Sequence, residues 1–341
     1  MSDLQQRLDR LDRLLRALDG AGSILIMPHN DPDPDAIAAS VALRHLLVER
    51  LGISVEVAYQ GIIGRAENKA LVRYLGNPLQ RLPTDPDARG SAPVALVDTQ
   101  PGSGNNALPP DSPATIVIDH HPPRQSAARV AFTDIRPDYG ATSTILTEYL
   151  QAANIEMAPP LSTALFYGIK TDTDGLGRGA SQADVTAYFY LQPMVDVEGL
   201  VAIEHAQVPA DYFRSFDSAL QAARVRDGVV TAYLGPVDYP DLAAEMADLL
   251  SRLERSEWVI CLGEYKGVII VSVRTRSPQG GAEHLVQAVV GPGGTAGGHG
   301  AMAGAQIPLA GEVPEHLAQR VIQRVLEHLN VPAGTVAYPI I

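Results

Sequence analysis

One short stretch, His29-Asn-Asp-Pro-Asp33-Pro-Asp35-Ala36, sets an imidazole beside three carboxylates. Prolines 28, 32 and 34 stiffen it, because the pyrrolidine ring fixes φ. Three more sites offer the same residue types. Asp98 follows the apolar run Val94-Ala-Leu-Val97, Asp119-His120-His121 follows Thr115-Ile-Val-Ile118, and Asp172 lies in Thr171-Asp-Thr-Asp174. Each has an ordinary explanation when taken singly. Asp31 reads as a turn residue, Asp35, Asp98 and Asp172 as turn or cap residues, and the histidines as a half-exposed pair. Together they resist it. If the strands are neighbours in one parallel sheet, Asp33, Asp35, Asp98, Asp119 and Asp172 converge at one edge, and gathered carboxylates do not all stay ionised without cations. Oxygen and imidazole donors without thiolates suit Mn²⁺ or Mg²⁺ better than a structural zinc. The set suffices for two ions sharing one carboxylate, a pairing about 4 Å wide that activates water and clamps phosphoryl oxygens.

The elements around these residues have the right periodicity. Leu4, Leu8, Leu11, Leu15 and Leu18 recur at spacings of three and four, which predicts an amphipathic helix stopped by Gly20 and Gly22. Those leucines could pack on the chain's own core or on a second copy, so a homodimer is an open expectation. Ser23–Met27 reads as a buried strand, Ala36–Arg50 as a helix closed by Gly52, and Ser54–Tyr59 as a second strand. This is the β-loop-α-β unit of a parallel sheet. Strands at 94–97 and 115–118 and helices at 141–152 and 161–169 continue it. Polar clusters sit at the carboxyl ends of the strands, where open α/β sheets bind ligands. The pattern stops between Asp196 and Phe216. A second unit starts near Ala222, with strands at 229–234, 258–262 and 268–274, helices at 242–253 and 315–329, and a glycine-rich segment at 291–300.

Composition narrows the function. The formal net charge of −13 repels long duplex nucleic acid. A small anionic substrate remains compatible if bound cations make the site locally positive. The single cysteine, Cys261, rules out an internal disulfide and a cysteine-based zinc cluster, and it follows Trp258-Val-Ile260 as a core residue. No run reaches the roughly 18 apolar residues of a membrane span, and the charged N-terminus lacks a signal-peptide core. A cytoplasmic protein without membrane partners is the expectation. His45, His205, His284, His316 and His328 belong to no cluster and read as structural or exposed.

At this point the chain closely resembles the DHH-DHHA1 phosphoesterases, and within them the branch of short-oligoribonuclease (nanoRNase) and pAp-phosphatase enzymes. His29, Pro32, Asp33, Asp35 and Ala36 match the first family motif, Asp98 the second, Asp119-His120-His121 the motif that names the family, and Asp172 the fourth. Gly297-Gly298-His299 match the glycine-histidine motif of the C-terminal domain, although Thr295 and Ala296 interrupt the glycine run before it. The resemblance implies two Mn²⁺ ions, with Mg²⁺ or Co²⁺ as substitutes. His29 and Asp33 would hold one ion and Asp35, His120 and Asp172 the other, with Asp98 between them. His121 would face the substrate phosphate, and Asp119 would orient His120. Arg274, Gly297, Gly298 and His299 would grip the substrate. Physical reasons support the last role: glycines let backbone N–H groups approach an anion, and an arginine offers paired contacts to phosphate.

The expected architecture is α/β, with a parallel-sheet catalytic domain at 1–195, a linker at 196–220 and a smaller mixed α/β domain at 221–335 closing over the substrate. The expected activity is manganese-dependent hydrolysis of linear dinucleotides or short oligonucleotides, such as pApA or pGpG, or of 3′-phosphoadenosine 5′-phosphate. Rival activities are a cyclic-dinucleotide phosphodiesterase, a RecJ-type exonuclease and an inorganic pyrophosphatase. A nucleotide-binding protein with a retired site is the rival outside enzymes, and the complete ligand set argues against it.

Overall fold

Helix α1 (Asp3–Arg16) opens a computed structural model that describes residues 3–82, 92–109, 112–277 and 279–341, without the side chains of Asp3 and His299. Leu11, Leu14 and Leu18 go into the core of the chain itself, while Leu4 and Leu8 stay exposed. Strand β1 (Ser23–Pro28) leads to α2 (Pro34–Leu51). Asp33 caps α2 by accepting from Ala36 N at 3.0 Å, Pro34 fills its first turn, and Gly52 ends it in the left-handed conformation.

The unit Met1–Ala206 is built on β2 (Ser54–Tyr59), β3 (Gln80–Arg81), β4 (Val94–Val97), β5 (Ile116–Asp119) and β6 (Phe132–Ile135) together with β1. Their order is β3-β2-β1-β4-β5-β6 and every pairing is parallel. Strand order reverses between β1 and β4, which opens a crevice at their carboxyl ends. Helix α3 (Ala66–Tyr74) follows β2. On one sheet face Ile24, Ile26, Val57, Ala95, Val97, Ile116 and Ile118 pack with α2, α4 (Thr142–Ala152) and α5 (Pro159–Asp172). Ile37, Leu43, Leu46 and Leu47 of α2 are fully buried there, each stabilising the fold by about 1.5–3 kcal/mol. The alternate residues Leu25, Met27, Leu96 and Val117 form a smaller cluster on the other face.

The unit Gln207–Ile341 contains a mixed sheet ordered β11-β12-β10-β9-β8-β7-β13. Its strands are β7 (Arg224–Arg226), β8 (Val229–Pro236), β9 (Trp258–Tyr265), β10 (Val268–Thr275), β11 (Thr295–His299), β12 (Met302–Pro308) and β13 (Tyr338–Pro339). The β8–β9 pair is parallel and the others antiparallel. Ile260 and Leu262 face one core and Val259 and Cys261 the other, as alternation along a strand requires.

Several elements differ from the sequence reading. Residues 197–204 and 210–222, expected as a connection, form helices α7 (Val197–Glu204) and α8 (Ala210–Ala222). The end of a strand pattern does not mean the end of structure. Within the glycine-rich segment, which carried no strand expectation, Thr295–His299 pairs along β12. Helix α6 (Gln182–Leu191) starts from a capping box between Ser181 and Asp184. Helices α9 (Asp241–Leu250), α10 (Ala282–Val290) and α11 (Pro314–His328) complete the second unit. No described helix is long and apolar enough to cross a membrane.

Candidate metal centre

The crevice between β1 and β4 gathers the residues singled out above. His29 leaves the end of β1 and sits over the loop to α2. Asp33 caps α2, Asp35 lies in its first turn, Asp98 follows β4, Asp119 ends β5, and Asp172 ends α5. Three groups of donor atoms each fit within 4.8 Å: His29, Asp33 and Asp98; Asp98, His120 and His121; and Asp35, His120 and Asp172. Asp98 belongs to two of them. Its Oδ2 lies 3.5 Å from His29 Nε2 and its Oδ1 3.5 Å from His120 Nε2. His29 Nε2 is 3.6 Å from Asp33 Oδ1, and His120 Nε2 is 3.3 Å from Asp172 Oδ2.

Those separations exceed an ordinary charge-assisted hydrogen bond of about 2.7–2.9 Å. They match two donors that each stand about 2.1 Å from a shared cation at roughly a right angle or wider. The tautomers agree. His29 Nδ1 meets the Asn30 carbonyl at 2.8 Å and His120 Nδ1 meets the Tyr139 carbonyl at 3.1 Å. A carbonyl only accepts, so each Nδ1 carries a hydrogen, and Nε2 is the ring atom that each histidine turns toward the carboxylates and can offer to a cation once deprotonated. The donor set therefore fits a divalent cation.

Protonation tells the same story. Burial alone would lower the His29 imidazole, but the Asp33 and Asp98 carboxylates outweigh it and lift it to about 10. His120 is raised well above its ordinary value against the same burial, by Asp172, Asp98 and Asp35. Burial and the neighbouring carboxylates Asp172 and Asp98 raise Asp35 strongly. Burial and Asp33 push Asp172 up to about 6. Carboxylates held this close keep protons where cations would otherwise neutralise them.

Positions around the ligand cluster are tightly determined. Asp98 adopts φ 59°, a left-handed conformation that Asp tolerates better than most residues, and its N–H donates to Ile118 O at 2.9 Å. Both oxygens of buried Asp35 accept backbone hydrogen bonds, from Thr142 N and Ser143 N at 2.7 Å each. Gly168 is required on α5, since a Cβ there would stand 2.5 Å from Ser143 Oγ and 3.1 Å from Asp35 Cα. Asp31 is the turn residue expected, with φ 55° and its carboxylate accepting from Ile62 N at 2.6 Å.

One sequence expectation is corrected. Asp119 does not orient His120, whose Nδ1 is held by Tyr139 O. Adjacent residues leave a strand in different directions, and it is His121 that turns back: its Nδ1 and backbone N donate to Asp119 Oδ1 at 2.8 and 3.1 Å. Burial would raise the Asp119 carboxyl, but bonds from His121 and from Gln100 Nε2 (2.7 Å to Oδ2) hold it at about 2. Burial works against a charged His121 as well, yet its bond to Asp119 raises it. His121 has 40% of its side chain exposed, against 7% for His120, so it is the imidazole that can meet a substrate.

Sequence reasoning did not single out Gln100, Thr142, Ser143 or Asp184. Each acts through a contact distant along the chain, and only the capping box at Ser181–Asp184 left a local signature.

The expected substrate residues lie in the second unit. The Arg274 guanidinium is engaged by Asp248 and donates to Ser272 Oγ and Val273 O at 3.0 Å each. It is therefore partly spent within the sheet. Gly298 is required by packing: at φ 149° an added Cβ would lie 2.4 Å from Ala303 Cα. Gly297 has open space at the same point. The His299 side chain lies outside the described residues.

Comparison with known proteins accords with this arrangement. Residues 23–169 match the DHH family, N-terminal domain, and residues 227–327 match the DHHA1 domain. The first match falls within the unit Met1–Ala206 and the second within the unit Gln207–Ile341. An uncharacterized protein of Methanocaldococcus jannaschii is 36% identical over 288 residues, 84% of this chain and 58% of that protein. A probable manganese-dependent inorganic pyrophosphatase of Streptococcus pyogenes is 29% identical over 157 residues, 44% of this chain and 48% of its own. The chain thus spans only about half the length of these curated relatives. The crystal structure of an exopolyphosphatase-related protein from Bacteroides fragilis superposes with a TM-score of 0.73 at 17% identity, covering 94% of this chain and 96% of that one, which shows a shared fold.

Proposed function

We propose that this chain is a manganese-dependent phosphoester hydrolase that cleaves linear dinucleotides and very short oligonucleotides, and also 3′-phosphoadenosine 5′-phosphate, to mononucleotides. The observation that carries the hydrolytic reading is the position of Asp98, with one oxygen toward His29 and the other toward His120. In this reading His29, Asp33 and Asp98 would hold one cation, and Asp98, Asp35, His120 and Asp172 would hold the other. When bound, the cations activate a water and neutralise phosphoryl oxygens.

The chain's own groups do the rest. Thr142, Ser143 and the Tyr139 carbonyl keep the ligands in place before substrate arrives, which lowers the cost of reorganisation during the reaction. His121, fixed at Nδ1 by Asp119, which favours its protonated form, would deliver a proton to the departing oxygen or balance phosphate charge. Manganese is supported by the named requirement of the Streptococcus pyogenes relative. Short nucleotide substrates are supported by the motif resemblance of the whole chain and by the net charge of −13, which disfavours long nucleic acid. Arg274, Gly297 and His299 would contact substrate, with Arg274 exchanging part of its pairing with Asp248.

Inorganic pyrophosphate is the second reading, favoured by the match to a probable pyrophosphatase. A panel with Mn²⁺ separates the two: pApA, pGpG, 3′-phosphoadenosine 5′-phosphate, cyclic di-AMP, a longer RNA and pyrophosphate, with His120→Ala as control. Fast release of mononucleotide from pApA or pGpG, lost in the control, is the expected result. Turnover of pyrophosphate alone would replace the nucleotide reading, and turnover that survives His120→Ala would overturn the site.

A further inference from the structure

Five consecutive residues at the start of α4 reach three of the proposed ligands. The Tyr139 carbonyl accepts from His120 Nδ1 at 3.1 Å, Thr142 N and Ser143 N donate to the two oxygens of Asp35 at 2.7 Å, and Thr142 Oγ1 donates to Asp98 Oδ1 at 2.8 Å. These ligands come from β4, β5 and α2, so no local turn geometry sets their separations. The segment itself is held from two sides.

On one side, fully buried Asp184 accepts from Gly140 N at 2.7 Å and from Thr144 Oγ1 at 2.6 Å, while also capping α6 through Ser181 N at 2.7 Å. Gly140 is so closely packed that a Cβ would lie 2.6 Å from Thr173 Cγ2 and 3.2 Å from Gly179 O. On the other side, the Tyr139 hydroxyl donates to Glu148 Oε1 at 3.1 Å and accepts from Arg136 Nη1 at 3.1 Å. Arg136 also donates to Asp134, through Nε at 2.9 Å and Nη2 at 2.6 Å, and pairs with Glu148.

We propose that Tyr139–Ser143 works as one cradle that sets the distances among Asp35, Asp98 and His120, and that Thr142 is the positioning residue within it. This rests on the two-cation reading given above. Thr142 is the one side chain of the segment that touches the bridging carboxylate. By occupying a lone pair of Oδ1, its hydroxyl fixes the rotation of Asp98 and so the directions in which the remaining lone pairs point. Partners that orient ligands in this way characteristically change metal affinity by about 10–100-fold when removed.

Thr142→Val keeps shape and removes the donor, Thr142→Ser keeps the donor, and Thr142→Ala removes it without branching should the valine variant fold poorly. Mn²⁺ titration of the full chain, followed by the electron-spin-resonance signal of free Mn²⁺, reads the effect without depending on turnover. Thr142→Val and Thr142→Ala are expected to weaken binding at least about tenfold, with Thr142→Ser within about threefold of the unmodified protein. The chelated valine or alanine variant should still unfold with the same cooperative transitions as the chelated unmodified protein. Unchanged Mn²⁺ affinity in the folded valine or alanine variant, with binding reduced to at most one weakly held ion in Asp98→Asn, overturns the positioning role and leaves the metal reading standing. An unmodified protein that binds no Mn²⁺ overturns both.

Discussion

His121 Nδ1 lies 2.8 Å from Asp119 Oδ1, and the same oxygen takes the backbone N–H of His121 at 3.1 Å. Asp119 thus sets the orientation of the more exposed histidine, while its neighbour His120 is fixed by a backbone carbonyl. Their surroundings differ accordingly: His120 is buried with Asp98 and Asp172, while His121 sits at the exposed edge of the cluster, 3.6 Å from Asp98 Oδ1. Asp119→Asn is expected to lower kcat by about 10²-fold, in the range of a lost acid–base group, while Mn²⁺ affinity changes by less than about threefold. Steady-state kinetics beside a Mn²⁺ titration checks the split. Loss of metal affinity equal to the loss of kcat would return Asp119 to the role of His120's partner.

Protons and cations should compete for the centre. His29 stands at about 10 against an ordinary 6.5, so its contribution to stability is complete below 6.5 and is lost as pH rises through 10. Asp172, raised from 3.8 to about 6, has the same sign: the folded form holds its proton more tightly, and the fold weakens as pH rises through that window. Chelated protein is therefore expected to melt at lower temperature as pH goes from 6.5 to 10. Ligation needs deprotonated groups, so Mn²⁺ binding at pH 7 should expel protons. Calorimetry in buffers of different ionisation enthalpy measures that number directly, and a result of zero would contradict the protonation described here.

Two adjacent glycines should behave differently. Gly298→Ala would drive a Cβ into Ala303 at 2.4 Å and strain a position at φ 149°. The β11–β12 pairing should lose about 1–3 kcal/mol, as in other overpacked sites. Gly297→Ala meets open space and should leave the melting temperature unchanged. If Gly297→Ala nevertheless raises KM for pApA, backbone approach to substrate at this position is supported. Equal destabilisation by both substitutions would contradict the packing argument.

The first domain was largely legible because its chemistry is written at strand ends. Apolar runs at 94–97 and 115–118 stop at an Asp and the run at 23–27 reaches His29 one residue later, and a parallel sheet brings such ends to one edge. The residues that hold the ligands were not legible. Thr142 and Ser143 read as ordinary helix-start residues, and their contacts to Asp35 span more than a hundred positions. Nothing in spacing reveals such a contact. The helices at 197–204 and 210–222 were missed for another reason: both leave large apolar residues exposed, Val197, Val201 and Phe213 among them, so their periodicity is blurred. Arg274 was recognisable as a strand-end arginine, but its partner Asp248 lies on a different element and could be found only in the fold.

The central claim, one carboxylate shared by two cations, is tested most directly by Mn²⁺ stoichiometry in the unmodified protein and in Asp98→Asn. Asparagine tolerates the left-handed backbone at φ 59°, so the variant keeps the turn while losing the charge. Equilibrium dialysis with metal analysis should find two Mn²⁺ per unmodified chain and no more than one, weakly held, per Asp98→Asn chain. Two ions retained by Asp98→Asn with unchanged affinity would contradict the account.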